Sequence, residues 1–218
     1  MPHPPAPIRR RAFLPLVGAA LAAPALLARP ARAAAAAPAT PAQLAAWESP
    51  RTLGHPDAKI VVEEYFSLTC THCANFAGTT FAEIQTKLID TGKIRWVFRD
   101  FPLDKVALGA AGVARALPPE RYAAFVLALF ADQDGWAFGA GEHWPDALWK
   151  MAALAGLDRA TYDTAVADPT LQHWILTAQT VAEKKWKIDA TPSFVINGRM
   201  VAGEMPYADF VKELPGLG

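Results

Sequence analysis

The stretch that decides the fold runs from residue 59 to residue 73 and reads Lys59-Ile60-Val61-Val62-Glu63-Glu64-Tyr65-Phe66-Ser67-Leu68-Thr69-Cys70-Thr71-His72-Cys73. Its first eight residues are rich in β-branched and aromatic side chains, which predicts a strand. From Cys73 to about Ile89, apolar residues recur at helical spacing, and Gly92 ends the pattern. Residues 94–99 predict a second strand. This order predicts a parallel, right-handed strand–helix–strand unit with Cys70 just after its first strand.

The rest of the chain predicts a helical block followed by a hairpin. Residues 104–187 contain no convincing strand, and helices are predicted over 106–117, 119–130, 145–155 and 170–186, with a flexible loop over 135–141. Strand character returns at 192–196, and Asn197-Gly198 predicts a tight turn into a return strand over 199–202. A closing helix is predicted over 206–214. A helical block of this length indicates an inserted subdomain rather than a loop.

Residues 1–34 are predicted to be an export signal. Arg9-Arg10-Arg11 precedes a short, alanine-rich apolar segment that ends in small residues, as secretory signals do. The run Arg10-Arg11-Ala12-Phe13-Leu14 also resembles the twin-arginine export motif, with general export as the alternative. Pro15, Pro24 and Arg29 interrupt the apolar run, which disfavours an uncleaved anchor because a spanning helix needs about 20 continuous apolar residues. We therefore expect a cleaved signal and a periplasmic location.

The composition excludes one class of partner. The chain has 218 residues, of which 52% are hydrophobic, and its 21 basic residues balance its 21 acidic ones. The hydrophobic content is ample for a core. Binding to nucleic acid needs a concentrated basic face, and the only dense basic cluster belongs to the predicted export signal. We expect no nucleic-acid partner.

The 2 cysteines of the chain, Cys70 and Cys73, form a single C-x-x-C motif. A structural disulfide across so short a loop is worth only about 2 kcal/mol, and secreted proteins that use disulfides for stability normally link distant segments. A redox pair is the better interpretation. With Cys70 at the start of a helix, unpaired N–H groups and the helix dipole favour its thiolate, so we expect a depressed pKa there and a more buried Cys73 one turn further on.

Three further residues are predicted to tune this pair. Thr71 and His72 fill the positions between the cysteines, and a protonated imidazole there stabilises the Cys70 thiolate. Glu64 lies in the apolar strand before the motif, where a carboxylate is costly unless it is protonated or paired. Near a redox pair such a group relays protons. The alternative for Glu64 is a strand-end residue that reaches solvent.

Metal and haem sites are weaker interpretations of the same motif. A structural zinc site needs about four cysteine or histidine ligands, and His143 and His173 have no supporting spacing. A c-type haem needs C-x-x-C-H, and residue 74 is alanine. A Cu(I) site made of two thiolates is chemically allowed, which leaves a copper-binding envelope protein as an alternative. We expect no metal and no organic cofactor.

A second constellation, Ala190-Thr191-Pro192-Ser193-Phe194, lies directly before the predicted hairpin. Together with the strand, the C-x-x-C motif and the helical block, it resembles the DsbA family of bacterial envelope oxidoreductases, in the thioredoxin superfamily, over residues 50–214. The order and spacing of the motifs carry this resemblance, because C-x-x-C alone is weak evidence. The chain departs from the best-known members at Thr71, where they carry proline, and this leaves the redox poise open.

The resemblance implies a thioredoxin-like α/β fold with an inserted helical domain. It places a leader at 35–49, the first part of the thioredoxin-like domain at 50–103, the insertion at 104–187 and the second part at 188–218. It implies that Thr191 and Pro192 form a cis-proline loop beside the cysteines, where substrate binds by strand addition. It also implies that the acid at Glu64 is buried and influences the thiols.

The function expected on these grounds is that of a periplasmic oxidase that donates the Cys70–Cys73 disulfide. Its substrates would be exported proteins with free thiols, and the resemblance implies a membrane quinone-linked partner that reoxidises it. A disulfide isomerase or reductase uses the same residues and stays an alternative. The short segment between the expected cleavage site and the catalytic domain favours an oxidase, and we expect a monomer.

Overall fold

The computed structural model of the protein describes residues 1–3 and 37–217, so residues 4–34 of the predicted export signal lie outside the described residues. Every element described below belongs to one compact unit, Ala36–Gly218. Among the described residues, no helix is both long enough and apolar enough to cross a membrane.

A five-stranded mixed sheet forms the centre of this unit, in the order β1-β3-β2-β4-β5. Its strands are β1 (Arg51–Leu53), β2 (Ile60–Phe66), β3 (Ile94–Asp100), β4 (Ser193–Ile196) and β5 (Arg199–Ala202). β2 and β3 are parallel and the other neighbours antiparallel, which confirms the predicted unit and hairpin. β1 was not predicted, because three residues are too few to show a strand period. The sheet places β2, the strand that leads to Cys70, between two neighbours.

The helix after β2 begins two residues earlier than its apolar pattern indicated. Helix α2 (Thr71–Phe76) starts directly after Cys70, and α3 (Ala82–Ile84) follows in the same direction. Two π-helical turns, Ala77–Phe81 and Gln85–Ile89, continue the run. Each π turn holds an additional residue, which periodicity counted at 3.6 residues per turn does not reveal. The early start puts Cys70 at the helix cap.

The helical insertion consists of α4 (Lys105–Ala116), α5 (Pro119–Ala131), α6 (Trp144–Leu154), α7 (Arg159–Ala165) and α8 (Pro169–Trp186). The four predicted helices are confirmed, and α7 is an addition. The prediction of a flexible loop over 135–141 is wrong, because Asp134–Phe138 forms a π-helical turn and Gly141–His143 a 3₁₀ turn. The cause is Trp136, which is buried and donates its indole N–H to the Leu129 carbonyl at 2.8 Å.

The two faces of the sheet bury different sets of residues. Alternation along β2 puts Val62, Glu64 and Phe66 on the face that α2 covers, where fully buried Trp96 lies in a cluster of aromatic rings. Tyr65 points to the other face, which α8 covers. Glu64 is therefore directed into the main core by the same alternation that buries its apolar neighbours.

The two ends of the described chain are also helical. α1 (Pro41–Trp47) lies within the segment predicted as a leader, and its Trp47 packs against residues of α4 and α8. α9 (Tyr207–Lys212) closes the chain and buries Phe210 in the main core. A buried ion pair between Arg115 and Asp100 joins α4 to β3, and Arg115 also donates to the Trp47 carbonyl at 3.0 Å. The residues ahead of β1 are thus tied to the domain.

Candidate active site

The two cysteines lie at the start of α2, and they differ in their surroundings. Cys70 is the N-cap residue, with extended backbone angles, and its sulfur accepts a hydrogen bond from the Cys73 N–H at 3.4 Å. The preceding turn is closed by a hydrogen bond from the Cys70 N–H to the Ser67 carbonyl at 3.0 Å. Both cysteines are reduced; Cys70 is 7% exposed and Cys73 is fully buried.

These surroundings move the two thiol pKa values in opposite directions. The Cys73 thiol, hydrogen-bonded to the Cys70 sulfur, is the largest of the influences that lower the pKa of Cys70 from 9.0 to about 5; burial opposes it, and Thr191 and the backbone N–H groups of α2 assist. Burial raises the pKa of Cys73 far above its usual range. At neutral pH the pair therefore holds one thiolate, on Cys70, and one thiol, on Cys73.

The Thr191–Pro192 segment, which directly precedes β4, lies against Cys70. The Cys70 sulfur lies 3.3 Å from the Thr191 carbonyl oxygen, to which it donates when it is protonated, and the Thr191–Pro192 peptide bond is cis. Pro192 is buried, and its carbonyl accepts a hydrogen bond from the Gly203 N–H at 2.9 Å. The structure thus brings the two sequence constellations into contact.

Glu64 is buried in the core on the same face of the sheet as α2. It is 3% exposed, and its Oε2 accepts a hydrogen bond from the Trp96 indole N–H at 3.2 Å. Burial raises the pKa of Glu64 to about 8 against the effect of that hydrogen bond. The alternative of a solvent-reaching residue is therefore wrong for Glu64. Glu63 instead takes the outer position and pairs with Arg99 at 2.6 Å.

His72 and Thr71 lie on the exposed surface of the first turn of α2. His72 Nδ1 is 2.7 Å from Oε1 of Glu204, and Oε2 of that carboxylate accepts a hydrogen bond from the Asn75 amide at 2.5 Å. The carboxylate raises the pKa of His72, and the two donors lower the pKa of Glu204. His72 therefore has an acidic partner, which the sequence did not indicate.

Gln133 is a second residue that sequence reasoning missed. It follows α5 in the helical insertion, is buried, and donates its side-chain amide to the Leu68 carbonyl at 2.8 Å and to the Cys70 carbonyl at 3.1 Å. Nothing in the local sequence marks Gln133 or Glu204, because each meets the redox motif only through the tertiary fold.

The described residues hold no group of three or more histidine, cysteine, aspartate or glutamate side chains arranged to bind a metal ion. His143 and His173 are exposed, and His55 lies 3.8 Å from the Asp57 carboxylate. The geometry thus consists of one activated sulfur, one buried sulfur, a buried acid and a backbone carbonyl beside the activated sulfur. Such an arrangement suits thiol–disulfide exchange.

A family model described as thioredoxin matches residues 47–214. The chain belongs to the thioredoxin family. Its thioredoxin-like fold is also DsbA-like: the crystal structure of Wolbachia pipientis alpha-DsbA1 matches with a TM-score of 0.72 and 31% identity, over 78% of this chain and 91% of that one. The predicted fold class and the resemblance to DsbA are both confirmed.

Two curated relatives of this thioredoxin-family chain carry the provisional name protein-disulfide oxidoreductase. The protein from Rickettsia bellii is 34% identical over 152 residues, which cover 69% of this chain and 58% of that protein. The protein from Rickettsia prowazekii is 31% identical over 152 residues, which cover 69% of this chain and 55% of that protein. The match thus spans a little more than half the length of these relatives.

Proposed function

We propose that this chain is an exported disulfide oxidase that transfers the Cys70–Cys73 disulfide to proteins with free thiols. The observation that carries the proposal is the contrast between the two sulfurs: the pKa of Cys70 is lowered to about 5, while Cys73 is buried as a thiol. A thiol with a low pKa is a good leaving group, so a disulfide that contains it is easily given away. The names of the relatives and the DsbA-like fold support the same conclusion.

The first step begins from the oxidised enzyme. A substrate thiolate attacks the Cys70 sulfur, which is at the edge of the site and retains some exposure, whereas Cys73 is fully buried. The bond between the two enzyme sulfurs breaks, a mixed disulfide forms on Cys70, and the electron pair leaves on Cys73. The raised pKa of Cys73 requires that this sulfur take up a proton. Glu64, whose pKa is raised to about 8, is protonated at neutral pH and is assigned as the proton donor.

The second step releases the product. Another thiolate of the substrate attacks the substrate sulfur of the mixed disulfide, and the bond to Cys70 breaks. Cys70 leaves as a thiolate, stabilised by the hydrogen bond from the Cys73 N–H at 3.4 Å. The substrate has then lost two electrons to the enzyme, and its disulfide is complete. His72 and Thr71, which are exposed next to Cys70, are assigned as residues that tune the redox properties of the pair.

Substrate binding is assigned to the segment at Thr191 and Pro192. This segment directly precedes β4, and the Thr191 carbonyl lies 3.3 Å from the Cys70 sulfur. An extended peptide that pairs with the backbone here would bring its own cysteine to Cys70 by strand addition. The reduced enzyme must then be reoxidised, and we assign this to a membrane partner that passes the electrons to a quinone. The proposed location is the periplasm and the proposed state a monomer.

The reduction potential of the Cys70–Cys73 pair tests the proposal. Residues 37–218 are equilibrated with reduced and oxidised glutathione, and the fraction of reduced enzyme is measured. Two other proteins set the scale for the result, since the reduction potential is about −120 mV for DsbA and about −270 mV for thioredoxin. We expect a value near that of DsbA.

A value near that of thioredoxin would overturn the oxidase and favour a reductase or isomerase, since the pair would then prefer to keep its disulfide. Cys70→Ser serves as the control and should abolish the oxidation of a dithiol peptide. Tight Cu(I) binding at one ion per chain, in competition with thiol buffers, would favour the copper-binding alternative instead.

A further inference from the structure

Glu204 lies in the loop between β5 and α9, and its carboxylate reaches across to the first turn of α2. One oxygen is 2.7 Å from His72 Nδ1, and the other accepts from the Asn75 amide at 2.5 Å. Both oxygens therefore bind the helix that carries the two cysteines. The His72 ring is 70% exposed and the Glu204 side chain only 29% exposed, so the carboxylate is the better fixed member of the pair.

The backbone on both sides of Glu204 is fixed by residues of the active-site region. The Gly203 N–H donates to the Pro192 carbonyl at 2.9 Å, and the Thr80 hydroxyl donates to the Met205 carbonyl at 3.0 Å. The loop is thus held by the proline segment on one side and by the run of helix that follows α2 on the other. An exposed ion pair usually contributes little, but a pair fixed by several contacts keeps more of its interaction.

We propose that Glu204 is a positioning residue that keeps His72 in its imidazolium form beside Cys70, and thereby sets the pH range over which the reduced enzyme is favoured. The proposal rests on the proposed function, because it concerns the redox equilibrium of the same pair. The charged groups that act on His72 are the Glu204 carboxylate and the Cys70 sulfur, and both raise its pKa.

The effect on the redox equilibrium follows from charge. When oxidised enzyme reacts with two glutathione molecules, the enzyme disulfide gains two electrons and the glutathione thiols lose them and form their own disulfide. The product holds the Cys70 thiolate, which an adjacent imidazolium stabilises. That stabilisation is present below the pKa of His72 and is lost as the pH rises through it. By raising the pKa of His72, Glu204 extends the favoured range upward.

The test compares Glu204→Gln with the matched control Glu213→Gln. Glu213 also forms a 2.7 Å ion pair, with Arg199, and its side chain is 35% exposed, but it is part of another surface. The His72 resonance, assigned through its loss in His72→Asn, is followed by NMR against pH in the reduced protein. Glutathione equilibria are measured at about pH 5.5 and about pH 7.5, on either side of the ordinary histidine pKa.

We expect Glu204→Gln to lower the pKa of His72 and Glu213→Gln to leave it unchanged. At the higher pH, Glu204→Gln should lower the equilibrium constant for reduction by about two- to fivefold, the size of effect found for exposed ion pairs. At the lower pH the two proteins should agree, because the imidazole is protonated in both.

Three outcomes would contradict this role for Glu204. They are an unchanged pKa of His72, equal equilibrium constants at both pH values, or a change of the same size at both, which would indicate a direct effect of the carboxylate on the sulfur. If the unmodified protein does not exchange its disulfide with glutathione at all, the proposed function itself fails. The NMR titration still reports on the Glu204–His72 pair in that case, so the two failures can be told apart.

Discussion

The two sulfurs of the C-x-x-C motif differ in pKa because each cysteine acts on the other. The Cys73 thiol is the largest of the groups that lower the pKa of Cys70, and the Cys70 sulfur in turn adds to the rise in the pKa of Cys73. Burial alone would raise both values, since it disfavours any charged sulfur. The asymmetry that the proposed chemistry needs is therefore a property of the pair and not of either cysteine.

Replacing Cys73 by alanine should consequently raise the pKa of Cys70 above 5. It should stay below 9.0, because the backbone N–H of residue 73 and the Thr191 segment still stabilise the thiolate. Cys73→Ser is the matched control. The serine hydroxyl keeps a hydrogen-bond donor, so the pKa of Cys70 in this variant should lie closer to that in the unmodified protein. Thiolate absorbance near 240 nm, followed against pH, measures all three. Equal values in the two variants would contradict the assignment of the side-chain hydrogen bond.

Glu64 should make the stability of the protein depend on pH. Its pKa is raised in the folded state to about 8 from 4.5, so the folded state retains a proton that the unfolded chain loses, and stability falls as the pH rises between these values. From about pH 5 to about pH 8, we expect a loss of roughly 3 kcal/mol in the free energy of unfolding. In Glu64→Gln, which keeps an acceptor for Trp96, this loss should be absent.

Urea unfolding of the oxidised protein is the suitable measurement. In the oxidised state Cys70 does not titrate, and the opposite effect of its lowered pKa cannot mask that of Glu64. Glu63→Gln is a control at the adjacent position, because that carboxylate faces outward and pairs with Arg99. Parallel pH profiles for Glu64→Gln and the unmodified protein would contradict a buried, protonated Glu64.

Among the secondary-structure elements, the helical insertion acts on the redox motif through two contacts. Gln133, after α5, binds the carbonyls of Leu68 and Cys70, and Asp104, at the start of α4, accepts a 2.7 Å hydrogen bond from the Thr69 hydroxyl. The turn between β2 and α2 is thus held by residues from both ends of the first helical pair. The insertion therefore positions Cys70, the sulfur that the substrate attacks, as well as covering the sheet.

Gln133→Leu removes both amide donors to the turn and leaves two carbonyls without that partner. We expect a loss of about 1 to 3 kcal/mol in the free energy of unfolding, together with a rise in the pKa of Cys70. Gln172→Leu is the matched control, since that side chain also donates to a backbone carbonyl, of Val166 at 3.3 Å, but within the insertion. Urea titration and thiolate absorbance measure the two effects. If Gln133→Leu loses stability while the pKa of Cys70 is unchanged, the role of Gln133 is structural only.

The sequence predicted those elements whose signal is local. Residue composition identified β2 and β3, helical periodicity identified four helices of the insertion, and Asn197-Gly198 located the hairpin. It missed β1, which is three residues long, and it took residues 135–141 for a loop although they surround buried Trp136. At the site, Cys70 and Cys73 were evident from their spacing. Gln133 and Glu204 were not, because they reach the motif from elements 60 or more residues away.

Taken as a whole, the molecule couples its folding to the redox state of one pair. In the reduced protein the pKa of Cys70 is about 5 when folded and 9.0 when unfolded. The thiolate therefore adds stability that is fully present above the unfolded value and is lost as the pH falls through the folded one. In the oxidised protein this contribution is missing. A disulfide across two residues adds instead a loop-closure contribution of about 2 kcal/mol, which does not depend on pH.

The difference in stability between the reduced and oxidised proteins should therefore change with pH in a known direction. Between about pH 4.5 and about pH 7 we expect the reduced form to gain roughly 2 kcal/mol relative to the oxidised form, after allowance for solvent screening of Cys70. Glu64 titrates in both forms, and the part of its effect that comes from burial, the largest cause of its raised pKa, cancels in the difference. Urea unfolding of both forms at the two pH values measures it. A difference that does not change with pH would mean that folding does not stabilise the Cys70 thiolate, and the proposed disulfide donor would lose its driving force.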